Sequence, residues 1–272
     1  DADAQVFEAP TDAHPSTAWW RSAVFYEVYI RSFQDSNGDG IGDLRGIEQR
    51  LPYLQQLGVD ALWITPFYPS PMADFGYDVA DYTAVDPSFG TMADFDRLLQ
   101  AAHDRDIRIV IDMVLNHTSD AHPWFAESRS SRTNPKRDWY IWRDAQPDGS
   151  PPNNWTTFFG GSAWAWDETT RQYYLHLFLD RQPDLNWRNP EVIAAVDDVL
   201  RFWLDKGIDG FRLDAINFLI KHADFPDMPV VTNATGGDLV QYHVHVNNQP
   251  ELHPLLQNVR RVLEPYPGER VL

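Results

Sequence analysis

Arg108-Ile109-Val110-Ile111-Asp112-Met113-Val114-Leu115, followed at once by Asn116-His117, is the stretch on which the fold turns. It is nearly continuous in apolar residues. A strand with one wet face alternates apolar and polar positions, whereas an unbroken apolar run reads as a strand buried on both faces of a parallel sheet. Successive side chains point to opposite faces. Asp112, Val114 and Asn116 therefore share one face, and Met113, Leu115 and His117 share the other while the strand persists. Taken singly, Asp112 reads as a buried carboxylate capping backbone amides, and His117 as a histidine satisfied by a carbonyl.

The flanking sequence supplies what a parallel sheet needs. Residues 24–30 and 61–67 are β-branched and aromatic, and read as a first and second strand. Residues 47–57 place Ile47, Leu51, Leu54 and Leu57 at helical spacing, with Pro52 inside the pattern and Gly58 closing it. Residues 92–105 read as a second amphipathic helix with Thr91 as N-cap. After a long departure, residues 192–206 form a third helix and 208–216 a fourth strand. Residues 224–249 look irregular, 252–263 helical, and Arg270-Val271-Leu272 like the start of a fifth strand. Strands alternating with helices imply βαβ units. No Gly-rich phosphate fingerprint follows the first strand, which disfavours a dinucleotide fold. Polar clusters follow the strands' carboxyl ends at Arg31-Ser32, Asp74 to Asp78, Asn116-His117 and Asp214, the placement of active sites in (β/α)8 barrels. The expected class is α/β: the N-terminal four βα units of a TIM barrel. The expected domains are a lead-in over 1–18, barrel over 19–116, an inserted domain over 117–190, and barrel over 191–272. The insertion, rich in Trp, Pro, Asn and Gly, shows one strand-like run at 172–179.

Composition narrows the partners. The chain has 272 residues, 43% of them hydrophobic, enough for a sizeable core. A formal charge of −18 argues against nucleic acid or an anionic membrane. Without cysteine there is neither disulfide nor thiolate chemistry. No apolar run is long enough to span a bilayer, and no signal peptide is visible, so a cytoplasmic location is expected. Aromatic residues make up 14%, a supply of flat rings that suits sugar faces as well as cores.

Three polar constellations stand out. In Gly210-Phe211-Arg212-Leu213-Asp214-Ala215-Ile216-Asn217, Arg212 and Asp214 point the same way. A carboxylate beside a guanidinium stays ionised, and is either a structural ion pair or a candidate nucleophile. The loop Asp35-Ser36-Asn37-Gly38-Asp39-Gly40-Ile41-Gly42-Asp43 offers side-chain oxygens at positions one, three, five and nine, with the Ile41 carbonyl between. That is hard-cation spacing, Ca²⁺ ahead of Mg²⁺, although Gly46 stands where an EF-hand has its closing Glu. The alternative is a plain Asp/Gly-rich turn. Asp74-Phe75-Gly76-Tyr77-Asp78 reads as a solvated acidic loop or as a sugar clamp. Zinc is disfavoured, with no Cys and only an isolated His243-x-His245 pair.

Together these motifs resemble the N-terminal half of the α-amylase superfamily of glycoside hydrolases, closest to bacterial α-glucosidases and oligo-1,6-glucosidases. Asp112 to His117 looks like the family's first signature region and Gly210 to Asp214 like its second. Gln182-Pro183-Asp184-Leu185-Asn186 resembles the oligo-1,6-glucosidase motif. Pro151 to Trp155 and Phe159 to Trp164 resemble the α-glucosidase form of the inserted domain. The resemblance implies that Asp214 is the nucleophile of a double displacement, held ionised by Arg212, with Asp112 supporting Arg212. It implies that His117 bonds a sugar 6-hydroxyl and Tyr77 stacks on glucose. Asp74 would bind the 4-hydroxyl of a terminal glucose, Asp78 would back that pocket, and Phe178 and Phe159 would line its wall. The Asp35 loop would be a structural Ca²⁺ site.

The implied activity is a retaining α-glucosidase acting on maltose-type oligosaccharides or small α-glucosides, by hydrolysis or transfer. A sucrose- or trehalose-processing relative is one alternative, and a non-catalytic interaction relative another. In relatives, Val after the nucleophile goes with α-1,6 preference; Ala215 points to α-1,4 or to broad specificity. The family's acid/base Glu lies just after strand five. Glu269 precedes that strand and is not assigned, so the expected partner is a C-terminal half carrying that Glu.

Overall fold

The computed structural model describes residues 18–232 and 239–272. The lead-in expected over 1–18 therefore lies outside the described residues, apart from Ala18. In chain order the strands and helices are β1 (Phe25–Val28), α1 (Ile30–Phe33), α2 (Leu44–Leu57), β2 (Ala61–Ile64), α3 (Met92–His103), β3 (Arg108–Val114), α4 (Pro123–Ser130), β4 (Trp142–Arg143), β5 (Trp164–Asp167), β6 (Gln172–Leu175), α5 (Pro190–Asp205), β7 (Gly210–Asp214), β8 (Val230–Thr232), β9 (Leu239–Gln241) and α6 (Leu252–Leu263).

β1, β2, β3 and β7 form one parallel sheet in that order, the βα succession that the sequence implies. Residues 109–114 of β3 are all buried, as its unbroken apolar run requires. Val271 forms a parallel bridge with Gly210, so the expected fifth strand begins where it was placed. A side chain at 210 would collide with the Val271 carbonyl oxygen, 2.2 Å from where its Cβ would lie, which is why glycine stands there. At this same end of the sheet, buried Asp209 accepts the Ile109 amide at 2.9 Å and faces His103, Arg108 and Arg270. That end is a fastening, away from the polar clusters.

The helices begin and end for local reasons. Asp43 caps α2 by accepting the Gly46 amide at 2.7 Å, and Gly58 closes it in the left-handed region. α2 thus starts three residues before the apolar pattern does, and Pro52 is accommodated within it at an exposed position. Thr91 and Asp94 form a capping box on α3. Ile47, Leu51, Phe95, Leu98, Val196, Leu200 and Trp203 enter one core with the sheet. Burying each such side chain contributes roughly 1.5–3 kcal/mol.

Three expectations are corrected. The first strand stops at Val28, its last residue paired with β2. Ile30 opens a short helix, its amide turned to the Thr65 hydroxyl at 3.4 Å. The insertion holds a three-stranded antiparallel sheet, order β4-β6-β5, where only one strand was legible. The region read as irregular after residue 224 contains the β8–β9 hairpin.

Candidate active site

The site is built at the carboxyl ends of β2, β3 and β7. Parallel register sets Asp112 beside Arg212 and Val114 beside Asp214. The alternation of β7 brings Arg212 and Asp214 to the same face, where Arg212 Nη1 donates to Asp214 Oδ1. The same nitrogen lies 3.2 Å from both oxygens of Asp112. Asp112 is fully buried and also accepts from Trp63 Nε1 at 3.0 Å and from the Tyr77 hydroxyl at 3.2 Å. Desolvation pushes the Asp112 carboxyl up to about 7; Arg212 opposes the rise and Asp214 adds to it. The Arg212 guanidinium lies 4.8 Å from the centre of the Trp63 ring, so both its plane and its edge are held. Directly after Asp214 the chain turns at Ala215, with φ of 50°.

A second group closes one end of the site. Gln182 Nε2 donates to Asp74 Oδ2 at 2.9 Å and lies 3.1 Å from His117 Nε2. Fully buried Asp78 accepts the amides of Ala73 and Asp74, both at 2.9 Å, so it shapes the Asp74 loop from behind. His117 is buried, and desolvation lowers its pKa, keeping it neutral. Its tautomer follows from its neighbours. The Asn116 amide oxygen faces Lys221 Nζ at 2.9 Å, which turns Asn116 Nδ2 to His117 Nδ1 at 3.2 Å. Nδ1 then accepts, and a proton on Nε2 points at the Tyr77 carbonyl at 3.2 Å, which leaves the Gln182 amide nitrogen beside it as a contact without a hydrogen bond. Phe178 lies against His117, ring centres 5.0 Å apart. Phe159 is 61% exposed and stands farther out, 6.0 Å from Phe178.

Sequence reading thus named residues that come together: Asp214, Arg212, Asp112, Tyr77, Asp74, His117 and Phe178. It did not give roles to Trp63, Gln182 or Lys221. Lys221 is buried in an ion pair of 2.8 Å with Asp184. The signal for Gln182 and Asp184 was the motif that holds them. Residues 183–185 run beside 116–118, with Leu185 N donating to Asn116 O at 2.9 Å and Thr118 N to Pro183 O at 3.2 Å. Lys221 follows the apolar pair Leu219-Ile220 and carried no signal of its own.

The Asp35 loop is knitted by its own backbone. Asp35 accepts the amides of Asn37, Gly38 and Gly40 at 2.9, 2.7 and 2.8 Å, which holds its carboxyl below the usual range. Asp39 accepts from Ile41 N and Asn37 Nδ2. Asp43 serves Ser36 on one oxygen and the α2 cap on the other. Among the described residues no three His, Cys, Asp or Glu side chains converge as a metal cluster. The loop's oxygen atoms are of the kind hard cations take as ligands, and each carboxylate oxygen keeps lone-pair capacity beyond these bonds.

An arginine-held carboxylate at the carboxyl rim of a parallel βα sheet, beside a cluster of hydrogen-bonding side chains, stands where (β/α)8 barrels carry their active sites. The chain belongs to the alpha-amylase family, whose catalytic-domain model matches residues 27–272. It is 55% identical to a probable alpha-glucosidase of Rhizobium meliloti (strain 1021), covering 93% of this chain and 48% of that protein. It is 54% identical to an oligo-1,6-glucosidase of Heyndrickxia coagulans, covering 92% of this chain and 44% of the relative. Among solved structures, the alpha-glucosyl transfer enzyme XgtA superposes with a TM-score of 0.89 at 55% identity, covering 93% of this chain and 49% of that one. The chain spans about half the length of the curated relatives it matches.

Proposed function

We propose that this chain carries the glucose-binding and nucleophile side of a retaining α-glucosidase. The observation that supports it most is Asp214, ion-paired to Arg212 next to the Asp74–Gln182–His117 end. In the first step an Asp214 oxygen attacks the anomeric carbon, the C1–O bond breaks, and a glucosyl ester forms with inversion. In the second, water or an alcohol displaces Asp214 with a second inversion, giving hydrolysis or glucosyl transfer. Arg212 holds the Asp214 oxygens in place. His117 and the Asp74 carboxylate are the groups we assign to hydroxyls of a terminal glucose, with Tyr77 against the ring.

A retaining glycosidase needs a second carboxyl about 5–5.5 Å from the first to protonate the leaving oxygen. Asp112, the other carboxyl on Arg212, is buried and committed to Trp63, Tyr77 and Arg212, so it does not fit that task. We assign the proton donor to a part of the protein outside this chain, in keeping with the half of each relative that is matched. Ala215 supports α-1,4 over α-1,6 linkages. The Asp35 loop is proposed to take Ca²⁺, with Mg²⁺ as the competing ion, through Asp35, Asn37, Asp39, Asp43 and the Ile41 carbonyl. The ion's charge would neutralise the acidic loop.

Replacing Asp214 tests the reading. In the intact protein, Asp214→Gly is expected to lose at least about a thousandfold in kcat on 4-nitrophenyl α-glucoside. Added azide should restore turnover and yield β-glucosyl azide. Azide rescue giving the α-anomer, or a variant that retains activity, contradicts the assignment.

A further inference from the structure

The run Asn153-Asn154-Trp155-Thr156, in the insertion, is joined to the segment that follows β7 at nearly every polar group. Asn153 Nδ2 donates to Phe225 O at 3.0 Å, and Trp155 Nε1 to Pro226 O at 2.7 Å. Asn154 pairs with Met228 through both ends of its amide, at 3.0 and 2.7 Å, while its backbone N–H donates to Asp227 at 3.0 Å. Gln241 Oε1 accepts from the amide and the hydroxyl of Thr156, both at 2.9 Å, and its Nε2 donates to Asn154 O at 2.7 Å. Behind these bonds lies a small core of its own, in which Trp155, Trp164 and Leu177 meet Met228 and Val246.

The rings beside this latch form a continuous wall leading away from the closed end of the pocket. Phe178 lies on His117, and Phe158 is 5.4 Å from Phe178, 4.5 Å from Phe218 and 4.6 Å from His243. Phe158 and Phe178 belong to the insertion; Phe218 and His243 belong to the segment after β7. The wall therefore exists only while the two segments are held in register. His243 Nδ1 is buried and has no hydrogen-bond partner among the described residues, although it is a polar atom on an otherwise apolar wall. His117 lies at one end of this row of rings, and Phe218 and His243 at the other.

We propose that Asn154 and Gln241 are positioning residues for the leaving-group and acceptor side of the site. By pinning the two segments together they set the Phe158–Phe218–His243 wall against the second sugar or acceptor alcohol. This deepens the α-glucosidase reading and rests on it.

Two donors separate the possibilities in the intact protein. α-Glucosyl fluoride fills only the glucose pocket, whereas maltose also uses the wall. Asn154→Ala and Gln241→Ala are each expected to lower kcat/KM for maltose about tenfold, chiefly through KM, while α-glucosyl fluoride changes by less than about twofold. Thr156→Val, which removes one hydroxyl without changing shape, should give a smaller shift in the same direction, and His243→Ala a loss confined to maltose. Equal losses on both donors, or no loss on either, overturn the inference while leaving the α-glucosidase reading intact. A wild-type protein inert toward both donors overturns that reading and this inference with it.

Discussion

At the scale of the residue, one guanidinium serves two carboxylates. Arg212 cannot fully compensate Asp112 and Asp214 together, and the buried member, Asp112, is the one pushed up, to about 7. Burial raises a carboxyl by disfavouring its charged form, so the stabilisation is complete below the unfolded pKa of 3.8 and is lost as pH rises through about 7. Asp112→Asn removes this term. The stability of the wild type relative to Asp112→Asn should fall by up to a few kcal/mol between about pH 4 and pH 8. Urea midpoints of both proteins at the two pH values measure it; a constant difference contradicts it. Ala215 is the other residue with a consequence. Its φ of 50° lies in the left-handed region, where a β-branched side chain is strongly disfavoured. Ala215→Val is expected to lower the melting temperature and to move the maltose-to-isomaltose ratio of kcat/KM at least about threefold toward isomaltose. An unchanged ratio refutes the role given to this position.

The Arg212–Asp214 pairing was legible because period-two alternation is a local rule, and two residues suffice to apply it. The coupling of Asp74, Gln182 and His117 was not, because it joins residues 108 and 65 positions apart whose meeting depends on how the insertion folds back. Lys221 shows the same limit. A buried lysine is recognisable only once Asp184 and Asn116 are seen around it.

At the scale of the element, the strands and main helices follow from pattern, and the departures have physical causes. α2 reaches back to Leu44 because Asp43 supplies a cap that no apolar periodicity reports. β4 and β5 escaped notice because they are two and four residues long, too short for a pattern around Trp142, Trp164 and Trp166 to be read. The Asp35 loop is the element whose proposed role calls for direct assay. If it takes Ca²⁺, millimolar Ca²⁺ should raise the melting temperature of the EDTA-treated protein by several degrees, in line with ligand-linked stabilisation, and Mg²⁺ by less. Asp39→Ala should abolish the shift. A melting temperature indifferent to Ca²⁺ and EDTA would leave the loop a turn held by the amide bonds of Asp35.

At the scale of the whole molecule, a run of four parallel strands presents its polar residues at one rim and a structural fastening around Asp209 at the other. The α/β class and this polarity could be argued from the sequence, since helix–strand alternation and polar strand ends are repeated features that reinforce one another. The seam between the insertion and the segment after β7 could not, because amide side chains such as Asn154 and Gln241 look alike whether solvated or paired. The central claim is that the rim is organised to make Asp214 a nucleophile. Treating the intact protein with 5-fluoro-α-glucosyl fluoride and mapping the labelled peptide by mass spectrometry tests it most directly. The account predicts a single fluoroglucosyl ester on Asp214, absent from Asp214→Asn; a label on another carboxylate, or none while the substrate is still turned over, would contradict it.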